Sequence, residues 1–221
     1  MKIAVISDVH SNLPALEKVL EAANGMKIVC LGDLVGYNPF PNEVTELLRD
    51  KGIPSIMGNH DLAVLTGDTK GFNPIASSAA EWTIDALTEE NMDYLSELPV
   101  SYDNEFYAVH GSPNKPLKEY VFPDHPPKIL SSFFDRTTKS VIALGHTHIP
   151  YQIDLDEKII FNPGSVGQPR DMDPRASYAI FDTDSRSVEI NRLDYEIDEV
   201  SKAIKEAGLP GLLADRLHLG W

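Results

Sequence analysis

The chain opens with short apolar runs that alternate with stretches of helical periodicity. The apolar runs 2–7, 26–31 and 53–57 predict three buried strands. Between them, apolar side chains recur at helical spacing over 13–23 and 41–51, which predicts two amphipathic helices. This alternation of strands and helices predicts a parallel sheet with right-handed crossovers.

The periodicity changes after residue 60. The middle of the chain is mostly helical, with its clearest helices predicted over 76–87 and 89–98, and a strand follows over 105–110. Five prolines in 111–127 predict a long loop, of a kind that is usually functional in a compact domain. The remaining predicted elements are a buried strand at 140–144, antiparallel strands at 151–154, 158–161, 178–182 and 187–192, and a helix at 197–207.

Side chains with metal-binding chemistry follow directly after the predicted strands. Because the carboxyl ends of the strands in an open α/β sheet converge on one crevice, we expect these side chains to meet there. Residues i and i+2 of an extended chain point the same way, so two Asp-x-His or His-x-His pairs each offer two ligands to one locus. Each motif alone is common in ordinary turns, but the five together indicate a metal site. They are Asp8-Val9-His10, Gly32-Asp33, Gly58-Asn59-His60-Asp61, His110-Gly111 and Gly145-His146-Thr147-His148.

Taken together, these motifs resemble the signature of the calcineurin-like metallophosphoesterases. The match spans residues 8–148, and the segments 32–39 and 162–170 resemble the small bacterial and archaeal phosphodiesterase branch of that superfamily. The resemblance implies an α/β fold, a four-layer α-β-β-α sandwich of two mixed sheets flanked by helices. No linker or repeat interrupts the sequence, so we expect a single domain over residues 1–221.

The resemblance also implies a role for each residue of the motifs. Two divalent metal ions would be bridged by Asp33, and a hydroxide between them would attack phosphorus while His60 protonates the leaving oxygen. Nitrogen and oxygen donors without thiolate favour Mn²⁺ as the activating ion, with Fe, Zn, Ni or Co as alternatives. The other implied ligands are Asp8, His10 and His148 for the first ion and Asn59, His110 and His146 for the second. Asn59 and Arg170 are the candidate contacts to the substrate.

One position departs from the pattern of the superfamily. Its Ser/Thr protein phosphatases carry an Asp-Arg pair shortly after the Gly-Asp motif, whereas this chain has Val35-Gly36-Tyr37 there. Two interpretations of Arg170 remain open, a substitute cation for the phosphoryl group and an ordinary loop arginine. The departure argues against a phosphoprotein phosphatase.

The formal net charge of −15 narrows the range of partners. An acidic chain repels polyanions, so nucleic-acid polymers are disfavoured, although two metal ions would keep the site itself positive. A single cysteine, Cys30, in an apolar run fits a buried strand position in a cytoplasmic protein. No stretch has the apolar length of a signal peptide or a membrane span. The apolar stretch 211–221 packs either on the domain or on a second subunit of a homo-oligomer.

The sequence therefore predicts a metal-dependent phosphoric ester hydrolase that acts on small phosphate esters, with phosphodiesters as the favoured substrates. The alternatives are a phosphomonoesterase or phosphoprotein phosphatase, a nuclease, and a catalytically weak protein-binding scaffold of the same fold. A complete ligand set with His60 in place argues against the scaffold.

Overall fold

Nine strands and eight α-helices make up the fold in the computed structural model, which describes residues 1–221. The strands are β1 (Lys2–Ile6), β2 (Lys27–Cys30), β3 (Ser101–Asp103), β4 (Tyr107–Val109), β5 (Val141–Leu144), β6 (Tyr151–Leu155), β7 (Lys158–Asn162), β8 (Ala176–Asp182) and β9 (Ser187–Leu193). The helices are α1 (Leu13–Ala22), α2 (Pro41–Asp50), α3 (Asn59–Thr66), α4 (Pro74–Ala86), α5 (Glu89–Ser96), α6 (Pro127–Ser132), α7 (Ile197–Glu206) and α8 (Gly211–Leu219), with a 3₁₀ turn at Phe133–Arg136.

The strands form two mixed sheets. The first has the order β2-β1-β8-β9, in which β1 runs parallel to β2 and antiparallel to β8. The second has the order β3-β4-β5-β7-β6, with β4, β5 and β7 parallel and an antiparallel strand at each edge. The predicted parallel pairing is therefore confirmed for β1 and β2, and the predicted antiparallel pairs are found at β6–β7 and β8–β9.

Alternating side chains distribute the core over both faces of each sheet. On β1, Ile3 and Val5 pack between the sheets, where they meet Phe161 of β7 and Phe106 of the turn between β3 and β4. The intervening Ala4 and Ile6 belong to the core that packs under α1 and the other helices on that side. The outer face of the second sheet packs against α6 and the 3₁₀ turn. The result is the predicted α-β-β-α sandwich.

The strand predicted at 53–57 does not form. Only Ser55 makes a bridge, to Cys30 of β2, and this bridge is isolated. Pro54 accepts a hydrogen bond from the Cys30 amide at 2.9 Å but has no N–H of its own to donate, so the ladder stops after one bridge. As a consequence, Asn59 and His60 lie in the first turn of α3 rather than at the end of a strand.

Sequence patterning missed four short elements: β3, α6, the 3₁₀ turn and α8. The strand predicted at 105–110 is confirmed only over Tyr107–Val109. Helix α8 buries Leu213, Ala214 and Leu217 in the same core as α1, so the stretch after residue 211 packs on this chain, with Leu219 left half-exposed. None of the helices combines the length and the apolar character needed to cross a bilayer.

Candidate metal centre

The loops that carry the candidate ligands have unusual backbone conformations. Asp8, His10, Asp33, His146 and His148 all have positive φ, between 48° and 68°. Residues other than glycine rarely adopt this region, and such strain persists only where the surrounding structure enforces it. Here the enforcement is visible in backbone hydrogen bonds between the loops, from the Asp8 amide to Gly32 at 3.0 Å and from the His10 amide to Asp33 at 2.9 Å.

One group of ligand atoms, the first cluster, comprises Asp8, His10, Asp33 and His148. The Nε2 atoms of His10 and His148 are 3.1 Å apart, and Nε2 of His148 lies 3.2 Å from Asp8 Oδ1. Nε2 of His10 lies 3.5 Å from Asp33 Oδ2. None of the four residues is more than 2% exposed. The ligand atoms of these two carboxylates and two imidazoles all lie within 4.8 Å of one another and could hold a divalent ion.

The second cluster shares Asp33 with the first and adds Asn59, His110 and His146. Nε2 of His110 lies 3.2 Å from Asp33 Oδ2 and 3.1 Å from Asn59 Oδ1. His146 is 6% exposed, and Asn59 is partly exposed at the start of α3. The structure therefore brings all seven predicted ligands into two adjoining groups that meet at one carboxylate.

Hydrogen bonds at the far side of three rings fix which nitrogen faces each cluster. Nδ1 of His10 contacts the carbonyl of Val35 at 3.1 Å, and Nδ1 of His148 contacts that of Gln168 at 2.5 Å. Nδ1 of His110 contacts the carbonyl of Leu31 at 2.8 Å. A carbonyl only accepts, so each Nδ1 carries the hydrogen and, when the ring is neutral, the Nε2 lone pair faces the cluster, the arrangement common to metal-binding histidines.

In each of the carboxylates of Asp8 and Asp33, only one of the two oxygens accepts a hydrogen bond. Asp8 Oδ2 accepts from the His146 amide at 3.1 Å, and Asp33 Oδ1 accepts from the His60 amide at 2.8 Å. Their second oxygens, Asp8 Oδ1 and Asp33 Oδ2, are buried without a hydrogen-bond donor and point at the Nε2 atoms. A buried carboxylate oxygen without a donor is costly unless it is paired. Metal ions fit this donor set, because they would satisfy both oxygens and the facing imidazoles together.

Burial and neighbouring charge set the ionisation of these groups. Burial holds the pKa values of His10 and His148 well below the ordinary value, so both rings are neutral at pH 7. Burial also lowers the pKa of His146, to about 3. Burial opposes charge at both Asp33 and His110, but their mutual attraction prevails: the pKa of His110 is raised to about 10, and His110 with His60 holds the pKa of Asp33 well below its usual range, so the shared carboxylate is ionised.

Asp61, the last residue of the Gly-Asn-His-Asp motif, connects the loop that follows β2 to the start of α3. Its Oδ1 accepts from the amides of Leu34 and Val35, and its Oδ2 accepts from Gly58 at 2.9 Å. Gly58 is needed for close approach, since a Cβ there would overlap Oδ1 of Asp33. The motif thus supplies one ligand candidate, one adjacent histidine and one structural carboxylate.

The segment 162–168 braces the loops that follow β1 and β5. Asn162 donates to the carbonyl of Gly145 at 2.6 Å, and Ser165 Oγ donates to that of Asp8 at 2.7 Å. The Gly167 amide donates to the same Asp8 carbonyl at 3.0 Å. This gives a physical role to a segment that the sequence singled out only by resemblance.

His60 stands beside the clusters without belonging to either. Its ring centroid lies 4.8 Å from that of His10 and 4.5 Å from that of Tyr37, and its Nδ1 has no hydrogen-bond partner. Burial lowers the pKa of His60 to about 4. Gly36 leaves room for the ring, because a Cβ at that position would come within 2.8 Å of Nδ1.

Arg170, which follows β7 in the chain, also lies beside Tyr37. Its Nη2 donates to the Tyr37 hydroxyl at 3.2 Å and to Gln168 Oε1 at 3.0 Å, while its Nε is buried without a partner. No acidic side chain lies within 4 Å of its guanidinium. Tyr37 thus connects this arginine to His10 and His60. Tyr37 belongs to the Val35-Gly36-Tyr37 segment, which stands in the region where the Ser/Thr protein phosphatases of the superfamily carry an Asp-Arg pair.

Comparison with known proteins places the chain among metallophosphoesterases. The family model "Calcineurin-like phosphoesterase superfamily domain" matches residues 1–186. A metallophosphoesterase of solved structure from Sphaerobacter thermophilus is 40% identical, with a TM-score of 0.87, covering 100% of this chain and 99% of that one. An uncharacterised protein of Methanocaldococcus jannaschii is 38% identical, covering 99% of this chain and 98% of its own length. The Escherichia coli phosphodiesterase YfcE is 30% identical, covering 85% and 91%.

These matches agree with what the motifs and the fold indicate independently. The family model spans β1 to the β8–β9 turn, and therefore every strand end that carries a candidate ligand. The near-complete overlap with the Sphaerobacter structure covers both sheets and the flanking helices. The chain belongs to the calcineurin-like phosphoesterase superfamily.

Proposed function

We propose that the protein is a dinuclear-metal phosphoesterase that hydrolyses small phosphate esters, with phosphodiesters as its preferred substrates. The observation that carries the proposal is the pair of ligand clusters joined at Asp33, each with an unsatisfied carboxylate oxygen facing imidazole Nε2 atoms. The relation to the E. coli phosphodiesterase YfcE supports the preference for diesters.

The proposed ligands divide between two divalent ions. Asp8, His10 and His148 hold the first ion, Asn59, His110 and His146 hold the second, and Asp33 binds both. Two such ions would generate a hydroxide at neutral pH and offset the charge that develops on the phosphoryl oxygens. Mn²⁺ is the activating ion that we propose, because the donors are nitrogen and oxygen without thiolate.

His60 is the proposed acid for the leaving oxygen. It lies next to His10 but outside both clusters, so its ring nitrogens are not among the proposed metal ligands. Burial keeps the ring neutral in the free protein, and its unpartnered Nδ1 can take a proton without breaking an existing hydrogen bond; it would act as the acid once the bound anionic ester favours the protonated form. General acid help of this kind contributes about 10²–10⁴-fold to rate.

Arg170 and Asn59 are the proposed contacts to the phosphoryl group. Arg170 has a buried Nε without a partner and lacks an acidic neighbour, so an anion would satisfy it. Asn59 projects from the first turn of α3, where the amide groups of the helix favour negative charge. We propose further that residues 1–221 act as one catalytic unit, since α8 contributes to the same core as α1.

The test is hydrolysis of bis(p-nitrophenyl) phosphate and p-nitrophenyl phosphate by protein stripped of metal and then reloaded with Mn²⁺. We expect turnover that depends on Mn²⁺, with the diester hydrolysed faster. Turnover of the monoester alone would retain the metal site but change the substrate class to phosphomonoesters. Metal binding without hydrolysis of either ester would contradict the proposal and favour a binding scaffold.

A further inference from the structure

A cleft opens directly onto the second cluster. Its volume is about 450 Å³, within the range of small-molecule sites. Asn59 and His146, both of the second cluster, line it together with residues of two chain segments. One segment is α3 with the loop after it, which supplies Leu62 and Phe72, and the other is the proline-rich loop, which supplies Leu117 and Tyr120. The cleft is therefore continuous with the site of the proposed reaction.

Tyr120 is the most conspicuous side chain of this cleft. It is 45% exposed, although it is a large aromatic residue. Its ring stacks on that of His146, with centroids 3.8 Å apart and an angle of 20° between the planes. Phe72, which also lines the cleft, has its ring centroid 4.5 Å from that of His60. Aromatic surface thus borders both a candidate ligand and the candidate acid.

The charges around the cleft differ from those of the whole chain. Lys70 and Lys118 line it from the two different segments, with Asp68 as the only acidic residue of the lining. Neither lysine has an acidic partner within 4 Å, whereas the chain as a whole carries −15. Locally positive charge attracts an anionic ester, and apolar and aromatic walls favour an ester whose organic part is apolar and flat.

We propose that this cleft binds a flat aromatic group of the phosphate ester, an aryl ring or a nucleobase, against Tyr120, while the phosphoryl group lies at the metal clusters. This inference rests on the proposed function, since the ligand is a phosphate ester. Stacking on an aromatic side chain favours a nucleobase and is tolerant of its identity. Tyr120 is accordingly a specificity-determining residue.

The test measures binding rather than turnover. The full chain, loaded with Mn²⁺, is titrated calorimetrically with phenylphosphonate and cyclohexylphosphonate, which have the same anionic group and similar size but differ in planarity. Neither is hydrolysed. We expect the flat ring to bind about fivefold more tightly. In Tyr120→Leu the ratio of the two dissociation constants should fall to about one, and in Tyr120→Phe it should be retained.

A neighbouring aromatic residue provides the control. Phe122 lies in the same loop, with its ring parallel to Tyr120 at 6.2 Å, but it does not line the cleft. Phe122→Leu should keep the preference for the flat ring. If Tyr120 only supported His146, Tyr120→Leu would weaken both phosphonates equally, and the unchanged ratio would overturn the proposal. Absence of any preference in the wild type would overturn it as well.

Two further arms separate the possible outcomes. The methylenephosphonate analogue of adenosine 5′-monophosphate tests whether the ring is a nucleobase or a smaller aryl group. If it binds more tightly than phenylphosphonate, and Tyr120→Leu abolishes this advantage, the cleft is assigned to a nucleobase. If it binds more weakly than phenylphosphonate, the cleft is assigned to a smaller aryl group. Turnover of bis(p-nitrophenyl) phosphate is measured in parallel. Flat-ring preference without turnover would contradict the proposed function alone, and turnover without the preference would contradict the cleft proposal alone.

Discussion

The two clusters share Asp33 but differ in how they meet solvent. The first is closed, and its four side chains are at most 2% exposed. The second is less enclosed, because Asn59 is partly exposed at the start of α3 and His146 lines a cleft. If each cluster holds one ion, as proposed, this difference predicts a division of labour, in which the ion in the first cluster is held tightly and the ion in the second exchanges and meets the substrate.

The largest effect is expected from Asp33→Asn, which acts on both clusters at once. An amide oxygen lacks the negative charge that would offset two divalent ions, so both should bind far more weakly. We expect less than one ion per chain and a loss of activity of at least about 10⁴-fold, since several kcal/mol of charge stabilisation depend on the ions. Elemental analysis and turnover of bis(p-nitrophenyl) phosphate measure the two losses.

Asp103→Asn is a matched control for this change. Asp103 is exposed at the end of β3 and lies 3.8 Å from Lys139, so its substitution should leave metal content and activity unchanged. Two tightly bound ions in Asp33→Asn would refute the shared ligand and, with it, the comparison between two coupled clusters.

His60→Ala should reduce activity while both ions remain bound, because His60 lies outside both clusters. An acid matters most when the leaving oxygen is basic. We therefore expect a loss of about 10³-fold for a phenyl or alkyl ester but only about tenfold for a p-nitrophenyl ester, whose leaving group needs little protonation. Equal losses for both esters would indicate that His60 positions the substrate or the ligands instead. Elemental analysis verifies that two ions remain.

The division of labour itself is tested by two matched histidines, His148 of the closed cluster and His146 of the less enclosed one. His146→Ala should weaken one ion by about 10²-fold, and excess Mn²⁺ should restore much of the activity, because the less enclosed cluster can be refilled. His148→Ala should unfold more easily as well, since its ring fills an enclosed position. Calorimetric titration with Mn²⁺ measures the metal affinity of each variant, and thermal unfolding measures its stability. Equal metal affinities in the two variants would remove the distinction between the clusters.

Much of the scaffold could be predicted because its local signals agree with its tertiary environment. Helix α1 begins after Asn12, whose Oδ1 accepts from the Ala15 amide at 3.2 Å, and its apolar stripe packs on β1 as periodicity predicts. The failures are short elements with weak periodicity. The segment around Ser55 is an example. Its apolar run predicts a strand, but Pro54 has no N–H to donate, and only one bridge forms.

The site was predictable in membership but not in conformation. Strand ends and pair spacing were enough to expect that Asp8, His10, Asp33, His146 and His148 meet. Their positive φ values could not be inferred, because aspartate and histidine at a strand end usually stay extended, and only hydrogen bonds to distant loops hold them otherwise. The roles of Asp61 and of 162–168 depend on the same long-range contacts, which no local pattern reports.

The smallest effect on activity is expected from substitution of Arg170, which tests where the phosphoryl group lies relative to the two clusters. Arg170→Gln keeps a donor near Tyr37 but removes the charge, so we expect KM for bis(p-nitrophenyl) phosphate to rise about tenfold, as for loss of one charge-assisted hydrogen bond, with kcat reduced less. Arg186→Gln, in the exposed turn between β8 and β9, is the matched control and should leave both constants unchanged. An unchanged KM in Arg170→Gln would make Arg170 a structural partner of Tyr37 and leave Asn59 and the ions as the only proposed contacts to the phosphoryl group.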